Sequence, residues 1–119
     1  MGNRWENLVV DARDPARLAR WWAEALNYQI TYEKPDKVEI RRLPDEVPAL
    51  VFVPVSRPKD ARNRLHLDLR PDDQEAEVER LVDMGARHVD GGPPRDGKGV
   101  GILLSDPEGN EFCVLSPRG

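Results

Sequence analysis

Hydrophobic and polar residues first alternate along the chain and then change to a helical period. Residues 6–12 (ENLVVDA) alternate with a period of two, which predicts a β-strand. Asp14 and Pro15 follow as N-cap and first helical residue, because the apolar residues after them recur every three or four positions. Three further strands are predicted at about 28–34, 36–43 and 50–55.

The same order of patterns restarts after a polar, turn-rich segment at 56–63. The second half is predicted to contain a strand at 64–70, a helix at 72–85 with Gly85 as its C-cap, and strands at 87–90, 100–105 and 111–116. The segment 91–99 (GGPPRDGKG) has too many glycines and prolines for regular structure. It is either a lid or a plain surface connection.

The two halves align at a nearly constant offset. Asn7 to Asp14 align with His66 to Asp73 at a shift of 59 residues, and Phe52 aligns with Phe112 at a shift of 60. Neither half is expected to bury its sheet alone, so we interpret the pattern as a duplicated β-α-β-β-β module rather than a coincidence.

Composition narrows the class of protein. A chain of 119 residues with 39% hydrophobic residues is the size of one domain with a real core. One cysteine allows no internal disulfide, which favours a cytoplasmic location. From the segment MGNRWENLVV we expect neither a signal peptide nor a membrane anchor, and no apolar stretch reaches the length of a spanning helix. The basic residues are scattered in a chain of net charge −4. We therefore expect no membrane and no nucleic-acid partner, and the composition suggests a bacterial source.

Four features in order identify a family resemblance: the paired modules, the strand–Asp–Pro–helix opening, HLDL at 66–69 and DPEGN at 106–110. They resemble the vicinal oxygen chelate superfamily, in particular its glyoxalase-like and bleomycin-resistance-like members. The resemblance implies a single α+β domain over 1–119, with module 1 at about 4–56 and module 2 at about 64–117. The modules would form one curved, partly closed mixed sheet with helices outside, and the protein would be a homodimer.

In metal-dependent members, the resemblance implies four ligands, two from each module. On this chain they correspond to Asn7, Val53, His66 and Cys113. Family members usually have glutamate in place of Cys113, Val53 has no donor atom, and the Asn7 amide is a weak donor. We therefore expect no cofactor and no divalent metal. If a metal is present, we expect His66 to bind it with Glu111 or Cys113.

Strand alternation predicts which side chains contact a ligand. If Leu65, Leu67 and Leu69 pack against the helices, and Phe112 and Val114 do the same, the residues between them face the other way. The predicted ligand-binding residues are Asn7, Val53, His66, Asp68, Glu111 and Cys113. Such a mixed lining, with an imidazole, carboxylates, a thiol and an apolar wall, is typical of a site for a small amphiphilic molecule.

Three functions remain open at this point. The first is a glyoxalase-like small-molecule-binding protein without the usual metal. The second is a lyase or isomerase in which His66 acts with Asp68 or Glu111, as acid–base groups or as ligands of an atypical divalent ion. The third is an antibiotic-sequestering resistance protein. His66 and Cys113 also have purely structural interpretations, as a hydrogen-bonded histidine and as a small buried residue at an abandoned ligand position.

The adjacent tryptophans of the first helix are expected to differ in environment. Trp22 belongs to the apolar stripe, and Trp21 cannot share its helix face. We therefore expect Trp21 to flank the core or to contact a partner subunit.

Overall fold

The computed structural model describes residues 2, 4–56, 61, 65–89 and 101–117. The chain divides into two compact units, Met1–Pro58 and Lys59–Gly119, which we call the first and second modules. Each contains a strand, a helix and then three strands.

The first module forms a mixed four-stranded sheet with one helix. Its elements are β1 (Asn7–Ala12), α1 (Pro15–Leu26), β2 (Gln29–Lys34), β3 (Lys37–Arg41) and β4 (Ala49–Pro54). The strand order is β1-β4-β3-β2, in which β1 runs parallel to β4 and the other pairs are antiparallel.

Helix α1 begins where Asp14 and Pro15 predict. The Asp14 side chain accepts a hydrogen bond from the Arg17 backbone N–H at 3.2 Å, and Pro15 occupies the first turn. Asn27 ends the helix in the left-handed conformation, with φ of 58°. The expectation for Trp21 was wrong: both tryptophans are buried, and their rings meet edge to face with centroids 5.0 Å apart. The two indoles pack against each other, so adjacent positions are both part of the core.

Helix α1 covers one face of the first sheet. Val38 and Ile40 of β3 and Phe52 of β4 are buried on that face. The salt bridge between Arg20 of α1 and Glu33 of β2 lies on the same side, because Glu33 is paired with Val38. We call this the helix face and the opposite side the open face. Full burial of each large apolar side chain here contributes about 1.5–3 kcal/mol to folding.

The second module repeats this order with shorter strands. Its elements are β5 (Leu67–Leu69), α2 (Gln74–Asp83), β6 (Arg87–His88), β7 (Ile102–Ser105) and β8 (Glu111–Val114). The order is β5-β8-β7-β6, again with a parallel first pair. The C-cap of α2 is Met84 rather than Gly85, which follows it with φ of 114°. The 91–99 segment lies outside the described residues.

The α+β class and the repeated β-α-β-β-β order are confirmed. The strands form two four-stranded mixed sheets, one in each module, where a single sheet was expected. Within the described residues, neither helix is both long and apolar enough to cross a membrane.

Candidate functional site

The DPEGN segment is a turn organised around the carboxylate of Asp106. This side chain is only 1% exposed, and it accepts hydrogen bonds from the backbone N–H groups of Glu108 and Asn110 at 2.9 and 3.0 Å. It also accepts one from the Asn110 side-chain amide at 2.9 Å. Gly109 supplies the positive φ of 89° that the turn requires. The most recognisable motif of the chain therefore fixes the β7–β8 hairpin.

Strand β8 contains two of the predicted site residues, and both are buried. Glu111 is 5% exposed and Cys113 is 3% exposed. Alternation places them on the face of the second sheet opposite Phe112 and Val114. Asp68 of β5 pairs directly with Cys113, so it belongs to the same face. We call this the polar face of the second sheet.

His66 precedes β5 by one residue and is half-buried. It is two positions before Asp68, which aligns it with the polar face if the extended backbone continues. Leu65 was expected to pack against the helices, but it is 80% exposed. The strand begins only at Leu67, so no ladder hydrogen bonds hold Leu65 against the sheet.

In the first module, the two predicted positions are separated along the strands. Asn7 pairs with Ala49, whereas Val53 pairs with Asp11. Asn7 therefore lies four positions along β1 from the level of Val53, which is about 13 Å at the usual rise. Both residues belong to the open face.

The strand registers correct the equivalence between the modules. Val10 pairs with Phe52 in the first module, and Leu67 pairs with Phe112 in the second. If the two phenylalanines are equivalent, Val10 corresponds to Leu67. Val9 then takes the place of His66, and Asp11 takes that of Asp68. The sequence overlay that matched Asn7 with His66 is therefore displaced by two residues at the first strand.

The donor set does not fit the metal site that the resemblance implies. Val53 has no donor atom, and Val9, which corresponds to His66 by register, also has none. In the described part of the chain, no three His, Cys, Asp or Glu side chains are grouped so that they could hold a metal ion. The alternative set of His66, Asp68 and Glu111 is therefore not assembled as a metal centre.

The open face carries charged residues that the site prediction missed. Lys37, Glu39 and Arg41 alternate along β3 with the buried Val38 and Ile40. Their face is that of Val51, because Glu39 pairs with Val51. The alternating pattern KVEIR is visible in the sequence. The resemblance, however, implies ligand positions only on the first and last strands of the module, β1 and β4.

The family model for the glyoxalase-like domain matches residues 7–115, and the chain belongs to this family. No curated protein matches the chain significantly. Among solved structures, it is similar to a glyoxalase/bleomycin resistance protein/dioxygenase family enzyme from Burkholderia phytofirmans, with a TM-score of 0.76 and 14% identity over 98% of this chain and 100% of the other.

Two further solved structures have more specific names. One is a variant of the fosfomycin resistance protein FosX from Listeria monocytogenes in complex with Mn(II) and 1S,2S-dihydroxypropylphosphonic acid. Its TM-score is 0.73 at 12% identity, over 99% of this chain and 92% of the other. The second is the trypanothione-dependent glyoxalase I of Leishmania major, with a TM-score of 0.69 and 14% identity over 97% and 87%. At these identities the likeness shows the fold alone.

Proposed function

We propose that this protein is a glyoxalase-like small-molecule-binding protein that works without the usual divalent metal. The observation that carries the proposal is the chemistry at the last strand of the first module, where Val53 replaces a ligand. The buried Cys113 replaces the usual glutamate in the second module. A site with these substitutions retains shape and polarity for binding but lacks the ligands of an open metal centre.

The proposal assigns ligand contacts separately to each module. In the first, they come from the open face through Asn7 and Val53. In the second, they come from the polar face, through His66, Asp68, Glu111 and Cys113. Asp68 and Cys113 are cross-strand neighbours, which supports a common role for their face.

A thermal-melting screen tests this function. Chelator-treated protein is melted with a library of small organic molecules, with and without zinc, nickel, cobalt, manganese or iron(II). A ligand at 100 times its Kd stabilises the native state by about 2.7 kcal/mol. For a domain of this size that raises Tm by about 10 °C. We expect at least one organic ligand to do so with chelator present.

The two histidines provide a matched control. His66→Ala should weaken ligand binding, whereas His88→Ala should not, because His88 pairs with Leu104 and therefore lies on the other face of the sheet. Stabilisation by a metal alone that disappears in His66→Ala would contradict the metal-independent function.

The lyase or isomerase function is the second candidate, because alternation aligns His66 with Asp68 as an acid–base pair. It predicts that His66→Ala abolishes turnover while Tm is preserved. Antibiotic sequestration would instead appear as stoichiometric binding of a large cationic antibiotic in the same screen.

We also propose that the protein is a cytoplasmic homodimer. The large exposed indole of Trp5 on the first module supports a contact surface of this kind. Light scattering at two concentrations measures the mass directly, and a monomer at micromolar concentration would refute the dimer.

A further inference from the structure

Three charged side chains form a linked group on the open face of β3. Glu39 is at the centre: its Oε2 lies 3.0 Å from Lys37 Nζ, and its Oε1 accepts a hydrogen bond from Arg41 Nη1 at 3.1 Å. The side chains of Glu39 and Arg41 are only 16% and 15% exposed. The group is therefore held in place, unlike the solvated surface ion pairs that contribute little to stability.

The neighbouring strand adds to the positive charge. Lys34 of β2 pairs with Lys37, and Tyr32 pairs with Glu39. Lys37 Nζ lies 5.0 Å from the centre of the Tyr32 ring, which confirms that both side chains are on the same face. Hydrogen bonding and charge from Glu39 raise the pKa of Lys37, so its ammonium group stays protonated at neutral pH. The open face of β2 and β3 thus carries three cations and one carboxylate, in a chain of net charge −4.

The Arg41 guanidinium retains donors for a ligand. Nη1 donates to Glu39 and, at 3.3 Å, to Thr31 Oγ1. Across the described residues, Nε and Nη2 of Arg41 have no hydrogen-bond partner. Nε and one Nη of an arginine form the planar fork that binds a carboxylate through two parallel hydrogen bonds. The protein orients this fork through Nη1 and leaves the bidentate edge available.

One exposed apolar side chain lies across the sheet from this group, beyond the buried Val51. Glu39 pairs with Val51 of β4, and Val51 pairs with Val9 of β1. The Val9 side chain is exposed on the open face. A molecule with its anionic end at Arg41 would therefore have the apolar Val9 side chain within reach of the rest of its body.

We propose that the open face of the first module binds a small organic carboxylate, with Arg41 as the bidentate partner of the anion and Lys37 as a second cation. This rests on the proposed function and specifies its ligand class. It adds residues of β3 to the contacts assigned to Asn7 and Val53. The exposed Val9 selects ligands whose other end is apolar.

Benzoate is the probe, and benzamide is its neutral counterpart of the same shape. Titration of chelator-treated, isotope-labelled protein is followed by NMR, including the arginine Nε–H signals. We expect benzoate to shift the Arg41 Nε–H and the amides of β3, and benzamide to bind about tenfold more weakly or not at all. Inorganic phosphate, an anion without an apolar end, should bind more weakly than benzoate.

The adjacent arginine is the matched control. Arg42 is exposed and already forms a two-armed pair with Glu46. Arg41→Gln should weaken benzoate binding by about tenfold, whereas Arg42→Gln, which removes the same charge, should leave it unchanged. Arg41→Lys, which keeps the charge but not the fork, should bind with intermediate affinity. Melting of each variant checks that it is folded.

The outcomes separate this inference from the function on which it rests. Equal binding of benzamide and benzoate, equal loss in the two glutamine variants, or no shift at Arg41 would each overturn the carboxylate site. Those results would leave a metal-independent binding protein intact. Benzoate binding at Arg41 that required an added metal would support the carboxylate site and contradict the metal-independent function.

Discussion

Replacing Asp106 tests whether the DPEGN motif is structural. Asp106→Ala removes at least three hydrogen bonds to a nearly buried carboxylate, two of them from backbone N–H groups of the turn. A hydrogen bond to a charged group contributes about 1.5–3 kcal/mol. Contributions within one turn are not additive, and in the variant water can solvate some of the N–H groups that lose their acceptor. We expect a loss of about 3–4 kcal/mol, a large share of the 5–15 kcal/mol typical of such domains.

Two milder variants each remove only part of the hydrogen bonding to Asp106. Asp106→Asn keeps one oxygen as acceptor for the Glu108 and Asn110 backbone N–H groups, but it sets an amide against the Asn110 side-chain amide. It should cost about 1–2 kcal/mol. Asn110→Ala removes the single side-chain bond and should cost about 1 kcal/mol.

Urea unfolding at equilibrium, followed by tryptophan fluorescence and by circular dichroism, gives the free energy of unfolding for each variant. The two signals must coincide for a single value to apply. If Asp106→Ala lies within 1 kcal/mol of Asn110→Ala, the buried carboxylate does not organise the hairpin and our reasoning fails.

The remaining predictions concern packing, capping and titration. A Cβ on Gly101 would lie 2.9 Å from Cys113 Sγ, so Gly101→Ala should lower the unfolding free energy by about 1–2 kcal/mol, and most of that loss should vanish in a Cys113→Ala background measured by urea unfolding. Asp14→Ala should cost about 1 kcal/mol through loss of the α1 N-cap; no change in the urea midpoint would refute it. The hydrogen bond from Arg42 lowers the pKa of Glu46, so the small stabilisation from this exposed pair is lost as pH falls through that pKa. NMR titration of the Glu46 carboxyl in Arg42→Gln should show its pKa shifted up, and an unchanged value would contradict the pairing.

Local signals in the sequence were sufficient for the element order. The capping chemistry of Asp14 and Pro15 and the period of the apolar residues locate the start of α1 because they act within one turn. The turn at Asp106 is likewise recognisable because the hydrogen bonds from Glu108 and Asn110 to the Asp106 carboxylate are local.

The register of the strands and the residues at which they end depend on partners distant in the chain. These two features were therefore predicted less well from the sequence. The exposed Leu65 has the same local pattern as Leu67, but only Leu67 finds a ladder partner, Phe112. The correspondence of Val9 with His66 is likewise set by pairing with the last strand of each module, about 45 residues away. Aligning the two first-strand sequences alone gives no information about that pairing. Whether the site residues contact a ligand stays a prediction.

The two modules differ in the length of chain between the first strand and the helix. From the residue that pairs with the phenylalanine to the helix N-cap, the second module has two more residues than the first: Leu67 to Asp73 against Val10 to Asp14. A change of one residue would have turned every side chain of that strand to the opposite face, whereas a change of two preserves its parity. A length difference of two before the helix therefore keeps the same face turned the same way, and it sets Val9 in the first module and His66 in the second at the same level relative to the last strand.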